Sequence, residues 1–313
     1  MVSFNSKRHD SRMLDLGLLK KIYRESKDLS EYAKIALRAM PTIGARHTIN
    51  NFLRQKIRSP LRLTMLERRS EIYEDYIKYK WKNGEVLLGY RSKGQIRKNS
   101  WLFNEVFLKE CYGNLNVFSR DVVDIGANIG DTAIYFASKG AKKVYAFEPY
   151  PYSYNLAILN MELNDIREQV ALFRAGVGSE GKIRIEENFE NGKGEGLVHF
   201  NSGVEIPVLQ LSMIVKERNL RDAVLKIDCE GGEYDIILPS SRETIRTFVE
   251  IQIEYHFGYE LIERKLADCG FMVSHTRSRL IPAKTLNIEL PDRIWNVGQI
   301  YAKRNPEKNN SVV

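Results

Sequence analysis

Seven residues, Asp124-Ile125-Gly126-Ala127-Asn128-Ile129-Gly130, and one acid, Glu148, set the first chemical question of this chain. Glycines let a backbone approach a ligand closely, and Asn128 is among the few other residue types that tolerate a left-handed conformation. A dinucleotide site would need G-x-G-x-x-G, with its pyrophosphate on the following helix. Here the spacing fails, and Asp131 stands near where the anion would bind. The phosphate-loop pattern G-x-x-x-x-G-K-[ST] is absent. A ligand with an ammonium, a carboxylate and a sulfonium but no phosphate fits better, and S-adenosylmethionine is that ligand. Asp124 would attract its cationic methionine end, turn N–H groups would receive its carboxylate, and Glu148 would accept from both ribose hydroxyls. Each acid alone has a plainer reading, a helix cap for Asp124 and a solvated loop acid for Glu148. Their conjunction with the glycine turn favours the cofactor.

A second group of polar residues follows downstream. The stretch "KIDCEGGEYD" places Asp228 and Glu230 just after a short apolar run, and "TFVEIQIEYHF" alternates, with Glu250, Gln252, Glu254 and His256 on one face. A buried parallel strand normally reads as nearly all apolar, so this polar face needs a reason. The expectation is that Asp228, Glu230, Glu254 and His256 line an acceptor pocket. His256 or a carboxylate would act as the base that makes an alcohol nucleophilic. Glu250 and Gln252 lie farther down and would bond neighbouring structure, and Glu233 and Asp235 read as solvated helix acids. A hydrogen-bonded network that merely orders loops is the competing reading of His256. Hard cations favour such oxygen ligands, but no ligand spacing marks a metal site, and none is assigned.

The elements that must position these groups alternate from Asp121 onward. Short apolar strands ("DVVDI", "KVYAFE", "VALFRA", "AVLKID", "TFVEIQIEY") are interleaved with helices at 129–138, 152–163, 209–218, 233–238 and 259–269. That order predicts an α/β fold with a doubly wound, mostly parallel sheet, in which ligands bind beyond the carboxyl ends of the strands. Two closing strands, "FMVSHT" and "VGQIYAKR", flank an expected loop at 278–295. An extended excursion at 182–210 carries a glycine-rich tip at 192–196. Upstream, "YIKYKWKNGEVLLGYR" reads as a hairpin around Asn83-Gly84, and "SWLFNEVFLKECY" as an amphipathic helix.

With "VVDIGANIGDTAIYFA", "VYAFEPYPYSYNLAILNMELN" and "VLKIDCEGGEYDIIL" in view, the chain resembles the FkbM family of S-adenosylmethionine-dependent methyltransferases. The resemblance runs from about Tyr79 to Arg304 and is strongest between Asp121 and Leu238. It implies a class I methyltransferase (Rossmann-like) fold, cofactor contacts at Asp124, Gly126, Asn128, Gly130 and Glu148, with Ala127, Pro149, Ala175 and Asp228 beside them, and methylation of hydroxyls on sugars or small natural products. Where relatives often carry an Asn-Ala type pair near the adenine, this chain has Arg174-Ala175.

The expected organisation is a basic helical extension over residues 1–75 and an FkbM-like domain over 76–304. Within that domain, hairpin and helix occupy 76–112 and the catalytic core 121–304; residues 305–313 form a disordered tail. Charge divides accordingly, with a net of +13 over residues 1–100 and −5 over the remainder. Such a basic region could follow a phosphate backbone, which keeps RNA ribose methylation open as the alternative function, or lie against an anionic membrane. A non-catalytic cofactor-binding scaffold is the third reading, though a scaffold has no need of both Asp124 and Glu148. Cys111, Cys229 and Cys269 lack the spacing of a disulfide framework or zinc site. No run is long and apolar enough for a membrane span, and the N-terminus lacks a secretory pattern. A cytoplasmic location, peripheral to a membrane if the basic helices bind one, is the expectation.

Overall fold

The computed structural model of the chain describes residues 70–82, 84–179, 181–187, 202–282 and 294–305, all within the unit spanning residues 66–313. The expected helices before residue 70, the glycine-rich tip and the tail from Pro306 lie outside the described residues.

In chain order the elements are β1 (Glu71–Ile72), β2 (Tyr76–Trp81), β3 (Gly84–Gly89), α1 (Lys93–Phe103) with a π-helical turn over Asn104–Leu108, β4 (Asp121–Ile125), α2 (Asp131–Ser138), β5 (Lys143–Phe147), α3 (Pro151–Leu163), β6 (Val170–Phe173), β7 (Gly176–Val177), β8 (Gly181–Ile185) and β9 (Val204–Leu209). Then come α4 (Leu211–Glu217), β10 (Ala223–Ile227), α5 (Glu233–Ile237), α6 (Arg242–Arg246), β11 (Phe248–Tyr255), α7 (Glu260–Asp268), β12 (Phe271–His275), β13 (Arg279–Pro282) and β14 (Ile294–Arg304).

The central sheet has the order β12-β14-β11-β10-β4-β5-β6, with β13 added on β14. Strands β6, β5, β4, β10 and β11 pair in parallel, and β14 runs antiparallel to both β11 and β12. The chain winds outward from β4 to β6 and then returns to continue through β10 and β11. That leaves the switch point, and therefore the crevice, between the carboxyl ends of β4 and β10. This is the doubly wound, mostly parallel sheet of the class I methyltransferase fold.

Two apolar layers hold it. One packs Leu211, Ile214, Ile236, Ile237, Ile262 and Leu266 from α4, α5 and α7 on one face. The other face is covered by Phe103, Phe107, Ala133, Ile134 and Phe136 from α1, the π turn and α2. The hairpin β2–β3 joins this second layer through Tyr79, whose ring stacks on Phe103 at 4.3 Å, and through Trp81, whose Nε1 donates to Phe107 O at 3.0 Å.

Three local expectations differ from what forms. The helix expected to begin at Ser100 starts at Lys93 and gives way at Asn104 to the π-helical turn. The helical extension expected over residues 1–75 does not run to its end, because Glu71–Ile72 pair antiparallel with Lys78 and Ile77. The loop expected at 278–295 contains β13, which pairs Arg279–Pro282 with Ile294–Val297. For β13 the deciding partner, β14, lies outside the local window that periodicity samples, and β1 is a two-residue edge strand too short to register in it.

Candidate active site

The turn after β4 has left-handed backbone at three alternate positions, Gly126 (φ 78°), Asn128 (φ 49°) and Gly130 (φ 82°). A side chain at Gly126 is excluded on a second count, because a Cβ there would lie 1.8 Å from the carbonyl oxygen of Asp228. The backbones of the β4 and β10 ends therefore touch, and Asp228 N donates back to Ile125 O at 3.1 Å. The N–H groups of Gly126 and Ala127 both donate to Phe147 O at 3.0 Å, which fastens the turn to the end of β5.

Glu148 sits directly beyond β5 and is nearly buried. Its Oε2 accepts from Asn128 N at 2.8 Å and its Oε1 from Tyr150 N at 2.9 Å. Burial pushes its carboxyl up to about 7, against the pull of those two N–H donors. Each carboxylate oxygen has a second lone-pair direction beyond the bond it already accepts, so the group keeps the acceptor capacity that a ribose diol requires. Pro149 and Ala175 are buried beside it.

Asp124 is wholly buried, with its Oδ2 accepting from Thr132 Oγ1 at 2.6 Å and its Oδ1 lying 3.0 Å from Lys226 Nζ. Lys226 projects from β10, whose five residues are all buried, and also donates to the carbonyls of Gly126 at 2.8 Å and Ile125 at 3.2 Å. Burial disfavours the ammonium, but the carboxylates of Asp124, Asp228 and Asp131 outweigh it and hold Lys226 above the usual lysine range. Asp131, buried at the start of α2, is pushed up to about 7 by burial, with Lys226 opposing. One ammonium among three acids leaves the crevice anionic when they are ionised, which suits a cationic methionine end.

The residues expected to line an acceptor pocket lie near one another in space. Ligand-type atoms of Asp228, Glu230 and His256 lie within 4.8 Å of one another at the carboxyl ends of β10 and β11. His256 is almost buried, with Nε2 3.2 Å from Glu230 Oε2 and Nδ1 3.0 Å from Glu233 Oε1. Burial works against its charge, but the two flanking carboxylates prevail and raise it to about 11. Glu254 accepts from Gln299 Nε2 at 2.8 Å. Burial first, and then the charge of Asp228, push it up to about 8. Tyr112, placed by the segment after the π turn, donates its hydroxyl to Asp228 Oδ2 at 3.0 Å. Phe257, about half exposed, borders this cluster and packs against Trp295 and Tyr234.

Glu250 and Gln252 do bond neighbouring structure: Glu250 Oε2 accepts from Asn116 N, and Gln252 Nε2 donates to Cys111 O. Asp235 is exposed as expected, but Glu233 is not a solvated acid. It is fully buried, because its Oε1 caps the N–H groups of Cys229 and Gly231, each at 3.1 Å, as well as meeting His256. Sequence reasoning also missed Lys226, Tyr112 and Asn160. The signal for Lys226 was present in "AVLKI", since a lysine inside an apolar central strand needs a buried carboxylate. Asn160 on α3 accepts from Gly89 N at 2.6 Å and donates to Ile129 O at 2.7 Å, tying the hairpin to the cofactor turn. Nothing in its local sequence marks it.

The sequence pattern of the family described as Methyltransferase FkbM domain matches residues 124–273. A curated relative, methyltransferase sdnD of Sordaria araneosa, is 27% identical over 221 residues, which cover 58% of this chain and 85% of that protein. Among solved structures, methyltransferase FkbM from Methylobacillus flagellatus KT is similar at 14% identity and a TM-score of 0.39, covering 80% of this chain and 60% of its own. TrmK of M. capricolum, solved with S-adenosyl-homocysteine, is similar at 13% identity and a TM-score of 0.39, covering 63% of this chain and 67% of its own. The matched family segment begins at Asp124 and takes in Glu148, Asp228 and His256. The chain is thus an S-adenosylmethionine-dependent methyltransferase whose residues 124–273 are similar to the FkbM methyltransferase domain.

Proposed function

We propose that the protein methylates a hydroxyl group on a sugar, a glycan or a small natural product. The observation that carries this reading is the cluster of Asp228, Glu230, Glu254 and His256 at the strand ends beside the glycine turn. S-adenosylmethionine supplies an electrophilic methyl on a sulfonium. The chain's own residues have three tasks: to hold the acceptor oxygen in line behind that methyl, to take its proton and to keep water out.

His256 has both ring nitrogens engaged, by Glu230 and by Glu233, so the base role falls to a carboxylate. Glu254 is suited to it, because its raised affinity for a proton lies close to neutral pH. Glu230, partly exposed, is placed to accept from a neighbouring hydroxyl of a polyol. The half-exposed ring of Phe257 offers an apolar face on which a pyranose could stack. The residues proposed to hold the cofactor are Asp124, Gly126, Ala127, Asn128, Gly130, Glu148, Pro149, Ala175 and Asp228, with Lys226 setting the turn between them.

The basic first hundred residues are proposed to bring the enzyme to an anionic carrier of its acceptor, such as a lipid-linked sugar at a membrane surface. Sedimentation with anionic vesicles at rising salt tests that part. Among the described residues, no helix is long and apolar enough to cross a membrane.

The test of the reaction is transfer of labelled methyl from the cofactor into a fractionated host extract. Label in glycan, lipid-linked sugar or a small hydroxylated metabolite supports the reading. Label confined to RNA would replace it with ribose methylation, and cofactor binding without label in any fraction would leave only a scaffold.

A further inference from the structure

Asp228, Glu230 and His256 combine two carboxylate oxygens and one imidazole nitrogen in a single space, with the three atoms within 4.8 Å of one another. A metal-ligating histidine characteristically donates its remote N–H to a carboxylate, which fixes the tautomer and turns the other nitrogen's lone pair to the ion. His256 has that arrangement. Its Nδ1 meets Oε1 of Glu233 at 3.0 Å, and Glu233 is itself immobilised by the N–H groups of Cys229 and Gly231. Its Nε2 then faces Glu230 and Asp228.

Three further observations fit an ion better than a purely structural network. Glu233 is fully buried, yet its Oε2 has no hydrogen-bond partner, so its placement serves the one oxygen that orients His256. Three acids, Asp228, Glu230 and Glu233, gather about the one imidazole, a concentration of negative charge that calls for a cation. Glu230 is also about two-fifths exposed, which leaves the space open to solvent on one side for an ion and an exchangeable ligand.

We propose that Asp228, Glu230 and His256 bind one divalent cation of the Mg2+ or Mn2+ type, oriented through Glu233, with the acceptor hydroxyl entering an open coordination position. Carboxylate-rich sites with a single imidazole favour these ions over zinc, which prefers sulfur and several nitrogens. This inference rests on the O-methylation reading for its chemistry. In the step it serves, the ion polarises the acceptor O–H and the proton passes to the Glu254 carboxylate. The oxygen lone pair forms the O–CH3 bond while the S–CH3 bond breaks, and that bond's electron pair remains on sulfur as a neutral thioether.

The test is a Mn2+ titration of the full chain followed by electron paramagnetic resonance, in which bound Mn2+ loses the six-line signal of the free ion. The expected result is one ion per chain, with affinity lowered at least tenfold in Glu230→Gln, a change at a partly exposed side chain that leaves packing intact. Glu233→Gln, which removes no ligand, is expected to weaken binding by about 10- to 100-fold. Absence of stoichiometric binding, or equal affinity in wild type, Glu230→Gln and His256→Ala, overturns the site.

Methyl transfer separates this inference from the reading beneath it. Undiminished transfer to a hydroxyl in a chelator-treated enzyme that binds no Mn2+ sinks the metal and leaves the O-methyltransferase standing. Site-dependent Mn2+ binding with label found only in RNA keeps the metal site and removes the small acceptor.

Discussion

Lys226 Nζ lies 3.0 Å from Asp124 Oδ1, and both side chains are buried. The pair joins the two strands that flank the switch point, and the same ammonium gathers the carbonyls of Ile125 and Gly126. Asp124 thus shapes the cofactor turn through Lys226 and Thr132 as well as adding charge to the crevice.

Removing the ammonium strands a buried carboxylate. Lys226→Met is expected to cost about 3–5 kcal/mol of stability in urea denaturation, as for other buried pairs broken on one side. The double variant Asp124→Asn with Lys226→Met should recover part of the loss. A single variant within about 1 kcal/mol of wild type would show that the turn does not depend on the pair.

Gly126→Ala should abolish cofactor binding. The residue is left-handed, and the new methyl would overlap the Asp228 carbonyl, a backbone atom that cannot rotate away. Calorimetry with S-adenosylmethionine should show at least a hundredfold loss, alongside a backbone strain cost of about 1–3 kcal/mol. Near-wild-type affinity would mean that the β4 and β10 ends can separate freely.

Glu148 predicts a pH dependence of cofactor binding. Its folded value of about 7 lies above the ordinary value of 4.5. Between those values the folded chain holds a proton that the unfolded chain has released, so this group's contribution to stability falls as pH rises through that window. Hydroxyl donors favour the ionised form, so cofactor affinity should rise with pH, by about tenfold from pH 6 to pH 8. Glu148→Gln should bind more weakly and flatten the profile. An unchanged slope in the variant would assign the titration elsewhere, with Asp131 the first candidate.

His256 predicts a second window, at higher pH. Its folded value of about 11 lies above 6.5, so its ion pairs with Glu230 and Glu233 stabilise fully below about pH 6.5. That contribution is lost as pH rises toward 11. In chelating buffer, the urea midpoint should fall from pH 7 to pH 10 more steeply for wild type than for His256→Gln. Parallel curves would show that the imidazole is neutral in the folded chain.

The comparison of sequence with structure turns on how far apart in the chain the deciding partners lie. The strand–turn–helix over residues 121–138 is locally encoded: apolar strand, left-handed glycines and a helix buried nearly all round agree within one short window. The alternation of β11 likewise placed Glu254 and His256 on one face before any partner was known. The π turn at Asn104 and the pairing of β13 with β14 were not legible, because each is settled by packing or by a strand outside the window.

By itself the sequence determined the α/β order, the position of the glycine turn and the identity of the acids around it, because strand period, helix period and glycine conformation are local properties of the chain. The tertiary structure alone decided the protonation and pairing of those acids. Glu233 became the buried partner of His256, Lys226 became the clasp of the turn, and Tyr112 reached Asp228 across 116 residues. Desolvation and Coulomb interaction depend on distance in space and on exclusion of water, and neither quantity exists until the strands are assembled.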